Sequence, residues 1–283
     1  MVVDGKGSTG SLSPGVLIVV MGTSGTGKST LGMSLSDRFG IPFVDGDDLH
    51  PSENVSKMSQ GSALNDDDRL PWLLRVRHAA FEMTDDSVGL SSAVRQAEQE
   101  RLQESGNKGL EESKARVRHM AEVLETSKQD ITQEEERSDR DTQPGRAQEP
   151  DPKTSKRPRR ACLIACSALK RKYRDLLRAH LGVDSYPASD DASSYEGQCL
   201  SVYFLYICVP EEELVRRMHD RKGHFMKESM LRSQLQTLEE PREDNEPGVL
   251  VLDGVGSKEE VERRAERLIE ERVGLVCAPP SQK

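Results

Sequence analysis

Residues 22 to 29, Gly22-Thr23-Ser24-Gly25-Thr26-Gly27-Lys28-Ser29, place glycines, a lysine and a hydroxyl at the G-x-x-x-x-G-K-S spacing. That spacing lets backbone amides turn inward around a phosphate, and a helix starting at Lys28 or Ser29 would add its positive end. Lys28 can reach the β and γ phosphates, and Ser29 is positioned to coordinate Mg²⁺. An ordinary glycine-rich turn would not need a Lys-Ser pair directly after its last glycine. The residues predict a nucleoside-triphosphate site.

A second group, Asp45-Gly46-Asp47-Asp48-Leu49-His50, follows the next short apolar run. If that run is a strand, carboxylates stand at its carboxyl end, where open α/β sheets bind ligands. One carboxylate could take a proton from an acceptor hydroxyl and another could hold a metal-bound water. Asp47 is assigned the first role and Asp45 the Mg²⁺ side; the alternative is a turn with an acidic helix cap. Further along come Lys57 and the run Asn65-Asp66-Asp67-Asp68-Arg69. The planar fork of Arg69 could grip an anionic substrate or neutralise the three acids beside it. Trp72 reads as a core residue rather than a stacking platform. Two later groups are basic: Ser167 to Arg174, and Arg216, Arg217 and Arg221 leading into Lys222-Gly223-His224. The latter suits a lid that closes over a transferring phosphate, or else a solvated basic helix face.

Positioning such groups needs strands that end together. Apolar runs at Val16 to Met21, Pro42 to Asp45, Ala161 to Cys166, Val202 to Val209 and Val249 to Leu252 have strand length. Helical patterns at Ser29 to Phe39, Lys170 to His180, Glu211 to Asp220 and Lys258 to Glu271 follow four of them. This alternation predicts an α/β fold with a five-stranded parallel sheet covered on both faces.

All eleven aromatic residues lie at Phe81 or earlier, or at Tyr173 or later. Between them the chain is rich in Glu, Arg, Gln, Lys and Ser, a composition that buries too little apolar surface to offset its ordering entropy. Residues 84–158 are therefore read as a charged, largely disordered or helical insertion. Within it Glu111 to Ser127 could form an amphipathic helix. The divisions expected are a tail at 1–14, a core at 15–83 and 159–278, and a second tail at 279–283.

Across 283 residues, 40 Lys and Arg against 49 Asp and Glu give a net charge of −9, which argues against a general nucleic-acid surface. The run Lys153 to Arg160 could bind nucleic acid or direct nuclear import, but a solvated boundary is the plainer reading. No apolar run approaches a membrane span, no secretory signal core is present, and a cytoplasmic location is expected. The five cysteines form no zinc pattern, and disulfides are not expected.

The blocks MGTSGTGKST, Asp45 to Met58, LNDDDRLPWL, CSALKRKYRDLLR, RKGHFMK and SQLQTLEEP together resemble the gluconokinase family of small P-loop kinases, relatives of shikimate kinase. The resemblance implies a P-loop kinase three-layer sandwich and transfer of the ATP γ-phosphate to the 6-hydroxyl of D-gluconate, with Mg²⁺ accompanying ATP. It implies that the ATP-binding set runs from Gly22 through Thr30, and that Asp47, His50, Arg69, Lys170, Arg174 and His224 line the gluconate side. Lys28, Asp47, Arg217 and Arg221 would be catalytic, Ser29 and Asp45 would hold the metal, and Asp253 to Val255 would lie near adenine. Compact members commonly pair, so a homodimer is expected unless the insertion obstructs it. Ala63 departs from the proline common at that place. Alternatives are a related kinase for shikimate or another sugar acid, or a nucleotide-gated interaction protein acting through the insertion.

Overall fold

A computed structural model describes residues 15–60, 62–84, 160–178, 200–220 and 228–277. The expected helix at Glu111 to Ser127, most of the charged insertion and both tails lie outside the described residues.

Five strands, β1 (Gly15–Met21), β2 (Phe43–Asp45), β3 (Ala161–Ala165), β4 (Leu200–Cys208) and β5 (Val249–Asp253), form one sheet in the order β2-β3-β1-β4-β5. Every pairing is parallel, with Val16 opposite Ala161 on one side of β1 and opposite Ser201 on the other. The helices are α1 (Lys28–Phe39), α2 (Ser52–Ser59), α3 (Asp66–Thr84), α4 (Arg171–Arg178), α5 (Glu211–Asp220), α6 (Glu228–Thr237) and α7 (Lys258–Arg272). The sequence patterns located α1, α4, α5 and α7; α2 and α6 were not expected.

Period-two alternation along the central strand divides the core into two layers. Leu17, Val19 and Met21 point to one face, where Trp72, Leu73 and Val76 of α3 and Leu177 of α4 cover them. Val16, Ile18 and Val20 point to the other, under Leu31 and Leu35 of α1, Leu214 of α5, Leu231 of α6 and Ile269 of α7. The result is the expected three-layer α/β sandwich.

Thr84 and Arg160, which flank residues 85–159, lie at the amino-terminal end of the sheet beside the start of β1. Arg160 Nε donates to the carbonyl of Thr84, so the two ends of the insertion touch. Gly15 packs so closely on Thr84 and Leu200 that a Cβ there would stand 2.6 Å from Thr84 Oγ1. The candidate catalytic groups gather at the opposite, carboxyl end.

Candidate active site

The loop after β1 passes directly into α1, whose N-cap is Gly27. Gly27 has φ 93°, a left-handed conformation open to glycine at little steric cost, where the chain turns from the loop into the helix. Lys28 Nζ donates to Thr23 O at 3.0 Å, and Thr26 Oγ1 donates to the same carbonyl at 2.8 Å. The lysine is thus folded back over the loop, with its ammonium beside the amides that would cradle a phosphate.

Ser29 Oγ donates to Asp45 Oδ2 at 2.5 Å, joining the start of α1 to the end of β2. Asp45 is buried, and its other oxygen accepts from the backbone N–H of Asp47 at 3.1 Å, capping the single 3₁₀ turn Gly46–Leu49. Asp45, expected on the Mg²⁺ side, thus also makes the turn cap that the sequence offered as the alternative. The turn lies against β3 so tightly that a Cβ on Gly46 would come within 2.4 Å of Ala165 O, leaving only glycine between the two aspartates. Asp47 is exposed at the mouth. Buried Cys166 feels the charges of Asp47, Lys28 and Asp45, although burial is the main reason its thiol is pushed up to about 12, where it is chemically inert.

A hydroxyl and a carboxylate at hydrogen-bond distance are hard oxygen donors of the type Mg²⁺ accepts, and Mg²⁺ commonly takes only one or two protein ligands beside phosphate and water. Ser29 and Asp45 therefore fit the ion.

On the acceptor side, His50 stacks on Trp72 with ring centroids 4.2 Å apart, and Trp72 Nε1 donates to Gly46 O at 2.6 Å. Trp72 is buried, as expected of a core residue, and it also fixes the His50 ring. Burial, helped by the charges of Arg69 and Arg75, lowers the His50 pKa to about 4, so the ring is neutral near pH 7. Asn54 Nδ2 lies 2.7 Å from Asp68 O and 3.3 Å from His50 Nδ1. Since the amide can only donate, His50 Nδ1 accepts and Nε2 carries the proton. His50 is thus a hydrogen-bond donor and not a cation.

The sequence left Arg69 divided between gripping a substrate and neutralising its neighbours, and lysines settle the neutralisation. Asp66 is held by Lys170 Nζ at 2.9 Å, by Lys172 Nζ at 2.5 Å and by the hydroxyl of Tyr173. Asp68 is held by Lys57 Nζ at 2.5 Å and by the backbone N–H of Asn65. These partners keep the Asp66 carboxyl far below the usual range, the Lys172 bond contributing most. Arg69 Nη1 instead meets Tyr173 Oη at 3.3 Å, and among the described residues no carboxylate lies within ion-pair distance of its guanidinium.

Arg174 departs from the expectation. Its side chain is wholly buried, with Nε 2.8 Å and Nη2 2.5 Å from the two oxygens of Glu246. Nη1 donates to Ala168 O and Leu169 O, and Nη2 also donates to Glu239 O. The fork has no donor left for a sugar acid, so Arg174 is a clamp behind the site. Arg217 is likewise engaged: Nε donates to Glu213 at 2.8 Å and Nη2 to Gly254 O at 2.8 Å. Contact with a transferring phosphate would require it to leave the loop after β5. Arg221 and His224 lie outside the described residues. Around Asp253 to Val255 the sequence missed Arg264, which ion-pairs with Asp253 at 2.5 Å and donates to Val255 O. Only an arginine one turn above an acidic loop could have signalled it.

A glycine-rich loop leading into a helix, a hydrogen-bonded Ser29–Asp45 pair and a cluster of basic side chains, all at the carboxyl end of a five-stranded parallel sheet, are the arrangement of a small P-loop kinase. No family model matches the chain, but relatives do. It is 30% identical over 237 residues to the thermoresistant gluconokinase of Escherichia coli K12, covering 84% of this chain and 83% of that protein. It is 31% identical over 233 residues to a probable gluconokinase of Rattus norvegicus, covering 81% and 84%. A crystal structure of a gluconokinase from Sinorhizobium meliloti 1021 superposes with a TM-score of 0.52 at 27% identity, covering 91% of this chain and 93% of that one. The chain belongs to the gluconokinase family.

Proposed function

We propose that the protein phosphorylates D-gluconate on its 6-hydroxyl with ATP, giving 6-phospho-D-gluconate and ADP. The observation that carries the acceptor side is the freedom of Arg69 from Asp66 and Asp68, which Lys57, Lys170 and Lys172 hold. A guanidinium so placed can take a sugar-acid carboxylate bidentately. Lys170, shared with Asp66, adds positive charge, and His50 Nε2–H offers a neutral donor to a hydroxyl.

The amides from Gly25 to Thr30 and Lys28 would hold the polyphosphate, with Lys28 countering charge that grows on the γ-phosphoryl oxygens. Asp47 would accept the proton as the gluconate O6 bonds to the γ-phosphorus and the β,γ-bridging P–O bond breaks, its electrons staying on ADP. Ser29 and Asp45 would hold Mg²⁺, which supplies charge neutralisation on the β and γ oxygens when bound. Arg221 and His224 are proposed to close over this side, and Arg217 to join them after leaving Gly254. The reading includes a cytoplasmic location, no membrane or nucleic-acid partner, and a homodimer; among the described residues no helix is long and apolar enough to cross a membrane.

The test is a coupled assay of purified protein with ATP, Mg²⁺ and a panel of gluconate, shikimate and other sugar acids. Gluconate should give the highest kcat/KM, with 6-phosphogluconate as product. ATP binding with turnover of another acid and none of gluconate would overturn the substrate assignment.

A further inference from the structure

The block SQLQTLEEP carries no chemistry that its residue types announce, yet it contains a side chain of α6, Gln234, that reaches the phosphate loop. Leu231, Gln234 and Leu235 recur at i, i+3 and i+4 on α6, the spacing of a single helix face. Leu231 is fully buried, Leu235 packs on the same layer, and Leu238 packs on the layer across the sheet. Gln234 therefore interrupts an apolar stripe at a position where leucine would bury more surface.

What Gln234 gains there is a bond to the loop: its Oε1 accepts from the backbone N–H of Ser24 at 2.7 Å, across 210 residues of sequence. That N–H belongs to the same peptide group as the Thr23 carbonyl, which holds Lys28 Nζ and Thr26 Oγ1. Because a peptide group is planar, orienting its N–H also orients its C=O. Helix α5 lies on another side of the loop, where Leu214 and Met218 would stand within 4 Å of a Cβ at Gly25. Apolar side chains there fill space without choosing a direction for the peptide.

We propose that Gln234 is a positioning residue for phosphoryl transfer, fixing the Thr23–Ser24 peptide whose carbonyl accepts from Lys28 Nζ and thereby setting where the lysine stands over the loop. This rests on the ATP reading above and adds to it the element that sets the lysine.

The test pairs Gln234→Met, which keeps length and apolar contact but removes the acceptor, with Gln234→Glu, which keeps the acceptor. ATP affinity is measured by calorimetry without acceptor, alongside kcat, both KM values, Tm and the Ser24 amide resonance. In Gln234→Met, ATP binding and kcat should each fall about three- to tenfold, the effect of one hydrogen bond, with the gluconate KM and Tm unchanged and the Ser24 amide proton moved upfield. Gln234→Glu should return the amide resonance and recover kcat. Wild-type behaviour in Gln234→Met, equal losses in gluconate KM and Tm, or no recovery in Gln234→Glu would each overturn the proposal. An incorrect sugar-acid assignment would leave the calorimetric result intact, whereas a wild-type chain that did not bind ATP would overturn both readings.

Discussion

Replacing Arg174 with methionine separates a clamp from a substrate ligand. Methionine roughly fills the volume but leaves Glu246, itself buried, with only Arg178 at 3.1 Å as a cationic partner. It also leaves the carbonyls of Ala168, Leu169 and Glu239 without their donors. Breaking a buried pair from one side costs about 3 to 5 kcal/mol, which for a domain of this size lowers Tm by roughly 6 to 20 °C. Ala168, at φ 43°, sits in a conformation that non-glycine residues rarely adopt, and its carbonyl is one of those three, so the loss should concentrate in the turn that presents Lys170. The assay is thermal unfolding, together with gluconate and ATP kinetics on the folded protein well below its midpoint. The expected result is a large drop in Tm with a gluconate KM changed less than about tenfold, the size of a lost charged contact. Wild-type stability with a gluconate KM raised a hundredfold would refute the reasoning and restore Arg174 to the substrate. The pH dependence gives a second check. Hydrogen bonds from Arg174, then Arg178, depress the Glu246 pKa in the folded state. A depressed carboxylate stabilises fully above its unfolded value and loses that contribution as pH falls through the folded one. The stability gap between wild type and Arg174→Met should therefore be constant near neutrality and narrow below about pH 4.

Lys28→Ala should lower kcat by at least about 10²-fold with Tm nearly unchanged, since its part is charge stabilisation rather than packing; near-normal turnover would remove it from the chemistry. Arg69→Ala should raise the gluconate KM about tenfold or more while leaving the ATP KM within about twofold, as measured by varying each substrate at saturation of the other. An unchanged gluconate KM would return Arg69 to a structural contact with Tyr173. Deleting residues 86–158 and joining the ends with a short glycine-serine linker should leave kcat within about twofold, because Thr84 and Arg160 already touch at the far end of the sheet from Lys28. Shortening the connection about fifteenfold should add roughly 2 kcal/mol of stability from reduced loop-closure entropy, read by denaturant unfolding; loss of activity in a folded deletion would show that the insertion reaches the site.

The strands were legible because each is a short apolar run bounded by turn residues, and β1 in particular alternates between two buried layers, so nearly every position is apolar. The P-loop was legible because its glycines, lysine and serine are local: their arrangement follows from the covalent order of eight residues. Arg174 and Gln234 were not legible for the opposite reason. Arg174 lies in a stretch rich in Lys and Arg, and nothing local distinguishes it from Lys170 or Lys172; its assignment depends on Glu246, 72 residues away. Four positions C-terminal to Lys170, it turns inward while Lys172 remains exposed, a distinction made by helix phase against a sheet whose position only the fold supplies. The spacing of α6 did hold a signal, a glutamine inside a leucine stripe, but a polar residue on an inward face has meaning only once its partner is known. Here the partner is a backbone N–H, which has no letter in the sequence. Arg69 was half legible: its neighbourhood of carboxylates was evident, but not that three lysines from α2 and the start of α4 would take them. Ion-pair choice depends on which side chains share a surface, so residues that bind substrate and residues that hold the binders in place carry the same charge and become distinguishable only in three dimensions.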